Sequence, residues 1–311
     1  MKDLSKNEVS HRRVGEEGAG QRVDNYLLKV LKGVPKSHIY RILRSGEVRV
    51  NSRRVRPEHR LEVGDDMRVP PVRVASTTLR KAPPASETLE RAILHEDDHI
   101  IVLDKPAGLA VHGGSGLAFG VIEQLRGQRP DQRFLELAHR LDRDTSGVLL
   151  IAKKRSALTA LHEQLREGRV RKLYLALVVG RWSNKKQSVR ASLHKHVLAS
   201  GERRVSVHDD GQQAHTIVEL VQAWPTYSLV RAELKTGRTH QIRVHLAHVG
   251  YPIAGDDKYG TFEANRELAK RGFKRMFLHA ASVTLSHPAG GAPRTFEAPL
   301  PASLREFIAT L

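Results

Sequence analysis

The stretch HRLDRDTSGVLLIAK, residues 139–153, joins a charged turn to a continuous apolar run. One histidine, two arginines and two aspartates lie within the six positions 139–144, and the apolar run begins after Thr-Ser-Gly. A short apolar run that follows turn residues is typical of a buried strand. Two carboxylates, those of Asp142 and Asp144, are therefore predicted between arginines at the start of a buried strand.

Strand and helix patterns alternate irregularly on both sides of this stretch. Strand-like runs occur at 91–108, 172–180, 214–224, 227–234 and 275–285, and helical patterns occur at 120–127, 156–168 and 239–250. A regular βαβ series would place helices between successive strands, and that order is absent here. We therefore predict an α+β domain, with a mostly antiparallel mixed sheet flanked by helices.

Composition narrows the classes of partner and of chemistry. The 311 residues include 52 Lys and Arg against 34 Asp and Glu, a formal net charge of +18. Such a balance favours a polyanionic partner, nucleic acid first and an acidic membrane surface second. The complete lack of cysteine excludes disulfides, zinc–thiolate sites, iron–sulfur clusters and thiol catalysis. With no signal-peptide pattern and no apolar stretch of about 18 residues, we expect a cytoplasmic protein.

The N-terminal part of the chain has the pattern of a small basic module. Residues 21–31 and 34–46 predict two short helices, and residues 47–69 alternate apolar and basic positions, as in a small sheet. Eight Lys or Arg and two Glu lie between residues 36 and 60. A solvated basic face would explain this charge, but its one-sidedness favours contacts with phosphates. The candidate phosphate-contacting residues are Lys36, Arg41, Arg44, Arg49, Arg53 and Arg54.

A Ser/Thr/Pro-rich segment without periodicity separates this module from the rest of the chain. We therefore expect a tail at 1–14, a phosphate-contacting module at 15–75, a linker at 76–88 and a larger domain at 89–311.

Common catalytic motifs are missing from the chain. There is no phosphate-binding G-x-x-x-x-G-K-[ST], no G-x-S-x-G and no H-E-x-x-H. The paired aspartates are similar to those of magnesium-dependent phosphatases, but in those enzymes the aspartates follow the strand. From the residues alone, Asp142 or Asp144 is either a single catalytic carboxylate among arginines or a structural cap or ion-pair partner.

Several blocks of the chain resemble the RluA family of pseudouridine synthases. The blocks are KPAGLAVHGG (105–114), HRLDRDTSGVLLIAK (139–153), KLYLALVVG (172–180), TGRTHQIRVHLAHVGYPIAGDDKYG (236–260) and RMFLHAASVTLSHP (275–288). The segment VPKSHIYRILRSGEVRVNSRRV (34–55) resembles the S4 RNA-binding domain. These resemblances imply that the module at 15–75 binds RNA through its six candidate basic residues and that 89–311 is the catalytic domain. Residues 185–211 match no motif, which leaves the contacts with the RNA target open.

The resemblance implies that the chain isomerises uridines of 23S ribosomal RNA, or of its large-subunit precursor, without a metal or another cofactor. Asp142 matches the catalytic aspartate of the family, and three roles remain open for it: attack on C1′, attack on the uracil, or removal of a sugar proton. Arg140 would enter the RNA stack and hold the target base out of it. The ring of Tyr174 would stack on the uracil.

The same resemblance implies roles for three further residues. Arg243 would pair with the catalytic aspartate and keep it ionised, and Arg238 is the alternative for that role. Leu278 would line the uracil pocket. We expect neither a membrane nor an obligate protein partner, and a monomer.

Overall fold

The computed structural model describes two compact units, Met1–Ala82 and Pro83–Leu311. The described residues are 8–31, 33–72, 87–113, 119–198 and 201–311. Residues 76–86 of the predicted linker lie outside them, as do the first seven residues of the predicted tail. None of the helices in the described ranges has the length and apolar character needed to cross a membrane.

The first unit consists of two helices and a four-stranded sheet. Its elements are β1 (Ser10–Arg13), α1 (Val23–Val30), α2 (Lys36–Arg44), β2 (Arg49–Val50), β3 (Arg53–Arg54) and β4 (Asp66–Val69). The antiparallel strands lie in the order β1-β4-β2-β3. The two predicted helices and the small sheet are confirmed. β1, however, lies within the predicted tail and pairs with β4, so the sheet includes residues upstream of position 15.

The basic helix α2 is held by an apolar face and by its C-terminal end. Pro35 precedes its first residue, and Ile39, Ile42 and Leu43 are buried. At its end, Arg54 Nη2 donates hydrogen bonds to the carbonyl oxygens of Arg44 and Ser45. An arginine in this position satisfies carbonyls that have no partner within the helix. The basic side chains of α2 therefore stand on an anchored helix.

The second unit is built on one large sheet. Its first elements are α3 (Glu87–Arg91), β5 (Ile93–Glu96), β6 (Ile100–Lys105), α4 (Val121–Gln128), β7 (Glu136–Leu137), β8 (Ser146–Ala152), α5 (Arg155–Arg166) and β9 (Arg171–Val179). They are followed by β10 (Lys186–Val197), β11 (Arg203–Val207), β12 (Gln212–Ala223), β13 (Tyr227–Leu234), α6 (Gln241–His248), α7 (Phe262–Lys270), β14 (Leu278–Ser286), β15 (Pro293–Glu297) and α8 (Ala302–Ala309). Helix α3 begins at Glu87, inside the last two residues of the predicted linker.

The described strands of this unit form an eleven-stranded sheet in the order β11-β10-β12-β13-β9-β14-β8-β6-β5, with β15 paired to β14 and β7 to β8. The pairing of β14 with β8 is parallel, and the other pairings between described strands are antiparallel. The predicted fold class, an α+β domain on a mostly antiparallel mixed sheet, is confirmed.

Two strands form where the sequence matched no motif. β10 and β11 lie within residues 185–211 and pair as a hairpin at one edge of the sheet. Of the twelve residues of β10, only Val189 and Leu193 are buried. A strand with so few buried positions has a weak apolar pattern, because backbone pairing with β11 and β12, and not its side chains, holds it in place.

β8 is the strand that follows the charged turn, and all seven of its residues are buried. Gly147 in this strand has φ +108°, and a Cβ atom there would stand 2.2 Å from the carbonyl oxygen of Ala280 on β14. The parallel partner strand therefore passes too close for any residue but glycine. This close approach fixes the start of β8, and with it the turn at 140–145.

Candidate active site

A cleft of about 570 Å³ opens beside the charged turn in the second unit. We call it the Asp142 cleft. It is lined by residues of the turn, by β9 and β14, and by the segment 234–243 that leads into α6. The cleft brings together the six residues that the sequence singled out in this unit: Arg140, Asp142, Tyr174, Arg238, Arg243 and Leu278.

The turn is tied to the sheet at its first residue. The backbone N–H of Leu150 donates to His139 Nε2 at 3.1 Å, across the start of β8. Burial lowers the pKa of His139 to about 4, and the charge of Lys172 lowers it further. A hydrogen bond with the backbone of Arg140 acts in the opposite direction. His139 is therefore neutral at physiological pH and can accept this bond. Thr145 N closes the turn by donating to the carbonyl oxygen of Asp142 at 3.2 Å.

A buried lysine holds the turn from the other side. Lys105 Nζ donates to the carbonyl oxygens of Pro106, Leu109 and Arg143 at 2.7, 2.8 and 2.9 Å. Burial lowers the pKa of Lys105 to about 7, although nearby aspartate charges act in the opposite direction. The sequence block KPAG was recognised without a role for its lysine. The structure places that lysine as a link between two loops.

The two aspartates of the turn point to different surroundings. Asp142 Oδ2 lies 3.3 Å from Arg243 Nη1, and its Oδ1 lies 3.8 Å from His240 Nε2. Asp144 lies outside the Asp142 cleft, and its carboxylate accepts from Arg143 Nε at 3.3 Å. No group of three or more His, Asp or Glu side chains in the described ranges is arranged to hold a metal ion. A paired-carboxylate site is thus not formed by this turn.

Arg243 is held mainly by a third carboxylate. Its Nε and Nη2 donate to the two oxygens of Asp256, both at 2.7 Å, and Nη2 also reaches Asp257 at 3.3 Å. Asp256 is fully buried. Its burial alone would raise the pKa of this carboxyl, but the hydrogen bonds and charge of Arg243, with two backbone N–H groups, lower it below its ordinary value. Asp256 therefore stays ionised and fixes the guanidinium that faces Asp142.

The sequence did not single out Asp256. Its position in the recognised block GDDKYG was the available signal, but nothing in the spacing distinguishes it from Asp257.

His240 faces the second oxygen of Asp142 in a constrained conformation. It has φ 52° and ψ 21°, the left-handed region, which non-glycine residues seldom occupy. Its Nδ1 lies 2.7 Å from Tyr259 Oη, and that oxygen accepts from the backbone N–H of Val205 on β11 at 3.0 Å. Burial raises the pKa of Tyr259, so the phenol keeps its proton and can donate it to Nδ1. This arrangement favours the tautomer in which Nε2–H of His240 points toward Asp142.

Tyr174 and Leu278 form the apolar wall of the cleft. They stand on the neighbouring strands β9 and β14, where Tyr174 pairs with Ala280 and Leu278 pairs with Ala176. Their side chains therefore project from the same face of the sheet. Tyr174 is 7% exposed, and burial, with a smaller effect of the Asp142 charge, raises the pKa of its phenol. An uncharged aromatic ring thus faces the cleft.

Two arginines stand at the rim. Arg140 is exposed, and its side chain makes no hydrogen bond or ion pair with any described residue. Arg238 is also exposed, and its Nε donates to the carbonyl oxygen of Gln213 at 3.3 Å. Within the described residues, it is Arg243 and not Arg238 that lies within ion-pair distance of Asp142.

The six candidate RNA-binding residues of the first unit are all exposed: Lys36, Arg41, Arg44, Arg49, Arg53 and Arg54. Arg54 also has the structural role at the end of α2, and Arg41 lies 3.8 Å from Glu47. Lys36 and Arg53 have no side-chain partner among the described residues, so their charges are available to a ligand.

Comparison with known proteins identifies relatives for both units. Residues 99–248 match the RNA pseudouridylate synthase family, and residues 21–66 match the S4 domain. The chain is 54% identical over 303 residues to the ribosomal large subunit pseudouridine synthase C of Salmonella typhimurium, covering 96% of this chain and 95% of that protein. It is 55% identical over 298 residues to the protein of the same name from Escherichia coli K12, covering 94% and 93%.

A solved structure also resembles this fold. Human RNA pseudouridylate synthase domain containing 4 superposes with a TM-score of 0.59 at 25% identity, over 72% of this chain and 94% of that one.

Proposed function

The chain belongs to the RNA pseudouridylate synthase family, and we propose that it isomerises uridines of 23S ribosomal RNA to pseudouridine. Relatives that are 54% identical over nearly the whole chain are named for this reaction in the large ribosomal subunit. The observation that supports it most directly is the cleft in which Asp142 lies 3.3 Å from Arg243 and beside the ring of Tyr174.

The reaction needs little beyond a positioned carboxylate. The C1′–N1 bond of uridine breaks, a C1′–C5 bond forms, C5 loses its proton and N1 gains one, so substrate and product are isomers. No electron or group is gained, and no cofactor has to supply one. We assign the exchange of the glycosidic bond to Asp142, by attack on C1′, attack on the uracil, or removal of a sugar proton. Arg243 orients this carboxylate through the 3.3 Å contact between its Nη1 and Asp142 Oδ2.

The remaining cleft residues suit an extruded base. A uridine stacked in RNA cannot reach the cleft, and the unpaired side chain of Arg140 at the rim is free to take its place in the stack. The uracil ring would then lie on Tyr174, with Leu278 behind it. Arg238 at the rim is available to the neighbouring RNA backbone.

We assign RNA binding to the S4 unit, through the six exposed basic residues named above, and we retain the division into a tail at 1–14, this module at 15–75, a linker at 76–88 and a catalytic domain at 89–311. We propose that the enzyme acts as a monomer. We place it in the cytoplasm, where its ribosomal substrate is.

The test incubates the protein with unmodified large-subunit ribosomal RNA in EDTA and maps pseudouridine by carbodiimide-dependent stops of reverse transcription. The wild type should give stops at specific uridines. Asp142→Asn, which keeps the shape of the side chain but not its charge, should give none.

Asp144→Asn is the matched control, since it makes the same chemical change two residues away and outside the cleft. It should keep measurable activity. A metal-dependent nuclease or phosphatase would lose its activity in EDTA, and a pure RNA-binding factor would give no stops with any variant. No modification by the wild type on any ribosomal RNA would refute the proposal.

A further inference from the structure

A second cleft, of about 800 Å³, lies on the other side of the charged turn. We call it the Arg275 cleft. It shares no lining residue with the Asp142 cleft: Arg140 and Asp142 line one, and Arg143 and Asp144 line the other. Successive residues of a single turn thus face two separate cavities of the catalytic unit.

Three cations of the Arg275 cleft have no counter-ion. Lys274, Arg275 and Arg305 line it, and none of them has a carboxylate within 4 Å among the described residues. Two acids of the lining are already engaged, since Asp144 pairs with Arg143 and Asp257 pairs with Arg243.

The remaining acid in the lining is Asp104. Burial raises the pKa of Asp104 to about 6, although the charges of Arg275 and Lys105 lower it in part. Its anion is thus disfavoured by the surroundings, and one such carboxylate does not balance three cations. The cleft keeps a positive charge that an anionic ligand would neutralise.

The central cation is held in place before any ligand arrives. Arg275 is half-buried, and its Nη2 donates to Ser146 Oγ at 2.9 Å. Ser146 Oγ in turn lies 3.0 Å from His279 Nδ1, and His279 Nε2 lies 3.1 Å from the carbonyl oxygen of Ala298. Because a carbonyl can only accept, His279 carries its proton on Nε2, and the Ser146 hydroxyl donates to Nδ1. A guanidinium fixed in this way loses little further side-chain entropy on binding a ligand.

We propose that the Arg275 cleft binds a backbone phosphate of the RNA close to the target uridine. The inference rests on the proposed function. The Cα atoms of Asp142 and Asp144 are two residues apart and so lie within about 7 Å of each other. An RNA strand whose uridine enters the Asp142 cleft therefore has neighbouring phosphates within reach of the second cleft. Arginine and lysine side chains without counter-ions are the groups that proteins use for such phosphates.

The test compares salt dependence of RNA binding in the full-length protein. The variant Lys274→Ala/Arg305→Ala removes two exposed cations of the cleft and leaves the anchored Arg275 in place. Each lost phosphate contact lowers the slope of log K against log salt by about 0.7 to 0.9, and the cleft holds one phosphate, so the slope should fall by up to about 0.9. Binding at low salt should weaken accordingly.

The matched control is Arg266→Ala/Lys270→Ala, which removes one arginine and one lysine from the exposed face of α7, outside both clefts. Its slope should stay near that of the wild type. If the cleft variant shows the wild-type slope, or only the slope of the control, the inference is wrong.

The same RNA is assayed for pseudouridine with the wild-type protein. Stops with the wild type and an unchanged slope in the cleft variant would overturn this inference alone. An RNA that the wild type binds but never modifies would overturn the proposed function, and with it this inference.

Discussion

Replacing Asp256 by asparagine tests whether Arg243 depends on this buried carboxylate. Asp256 is fully buried and accepts two 2.7 Å hydrogen bonds from Arg243, while the contact of Arg243 with Asp142 measures 3.3 Å. The variant would leave the buried guanidinium of Arg243 without its main counter-ion. The amide N–H of the asparagine would also face N–H groups that now donate to the carboxylate. Breaking a buried pair in this way costs about 3 to 5 kcal/mol.

The loss should be measured by urea unfolding followed by tryptophan fluorescence. The chain has two tryptophans, Trp182 and Trp224, and both lie in the second unit, so the signal reports on that unit. In thermal unfolding with the same fluorescence signal, we expect the melting temperature of a unit of this size to fall by about 6 to 20 °C. Pseudouridine formation at saturating RNA should fall about 100-fold, because a displaced Arg243 no longer orients Asp142.

The same variant predicts a pH dependence with a definite sign. The pKa of Asp256 is lowered in the folded protein from its ordinary value of 3.8, so its ionised form stabilises the fold above that value. This contribution is lost as the pH falls through the lowered pKa. The stability difference between wild type and Asp256→Asn should therefore be constant from about pH 6 to 8 and shrink below about pH 4.

Asp144→Asn again provides the control, since Asp144 is 38% exposed and Arg143 is its one ion-pair partner in the part of the chain that the structure describes. An exposed ion pair contributes about 1 kcal/mol or less, and that is the largest loss we expect. If Asp256→Asn destabilises the second unit no more than Asp144→Asn does, Asp256 does not hold Arg243 and the reasoning fails.

Three further substitutions test other parts of the structure. Tyr259→Phe should cost about 1 to 3 kcal/mol because it leaves the Val205 N–H without an acceptor, and nitrogen NMR of the active-site histidine should show a mixture of tautomers; a single unchanged tautomer would contradict the bridging role. Gly147→Ala should prevent stable folding of the second unit, since its Cβ would stand 2.2 Å from a carbonyl oxygen; near-normal urea unfolding would disprove this. Lys36→Ala/Arg53→Ala should lower the slope of log K against log salt for RNA binding by up to about 1.5. An unchanged slope would show that these two charges of the S4 unit do not contact the RNA.

Periodicity in the sequence predicted most of the elements, because their apolar faces are buried. The strand β8 and the helix α2 were predicted from such patterns, and both are in the structure. The hairpin of β10 and β11 was missed, since β10 has few buried residues and is held by backbone pairing, which leaves no apolar pattern. The strand at β1 was assigned to a tail for the same reason: its residues SHRR contain no apolar side chain.

For the site, the resemblance named residues that the structure then gathers in one cleft, but not the residues that hold them there. Asp256 lies 13 residues from Arg243, and Tyr259 and Lys105 act through backbone atoms 54 and 38 residues away. Such partners leave no trace in composition or spacing. The turn's geometry also places Asp142 and Asp144 in two different clefts. Their closeness in the sequence had suggested a pair of carboxylates in one site.

The parallel pairing of β14 with β8 has a consequence for the time at which the protein becomes an enzyme. Leu278 is made 136 positions after Asp142, and Ser146 and His279 are 133 positions apart. At about 5 to 20 residues per second, a ribosome needs roughly 7 to 27 seconds to cover that distance. The basic S4 unit is complete well before then. A nascent chain can thus meet RNA through its first unit while its catalytic cleft still lacks a wall, and it gains the means to modify that RNA only after β14 has been made.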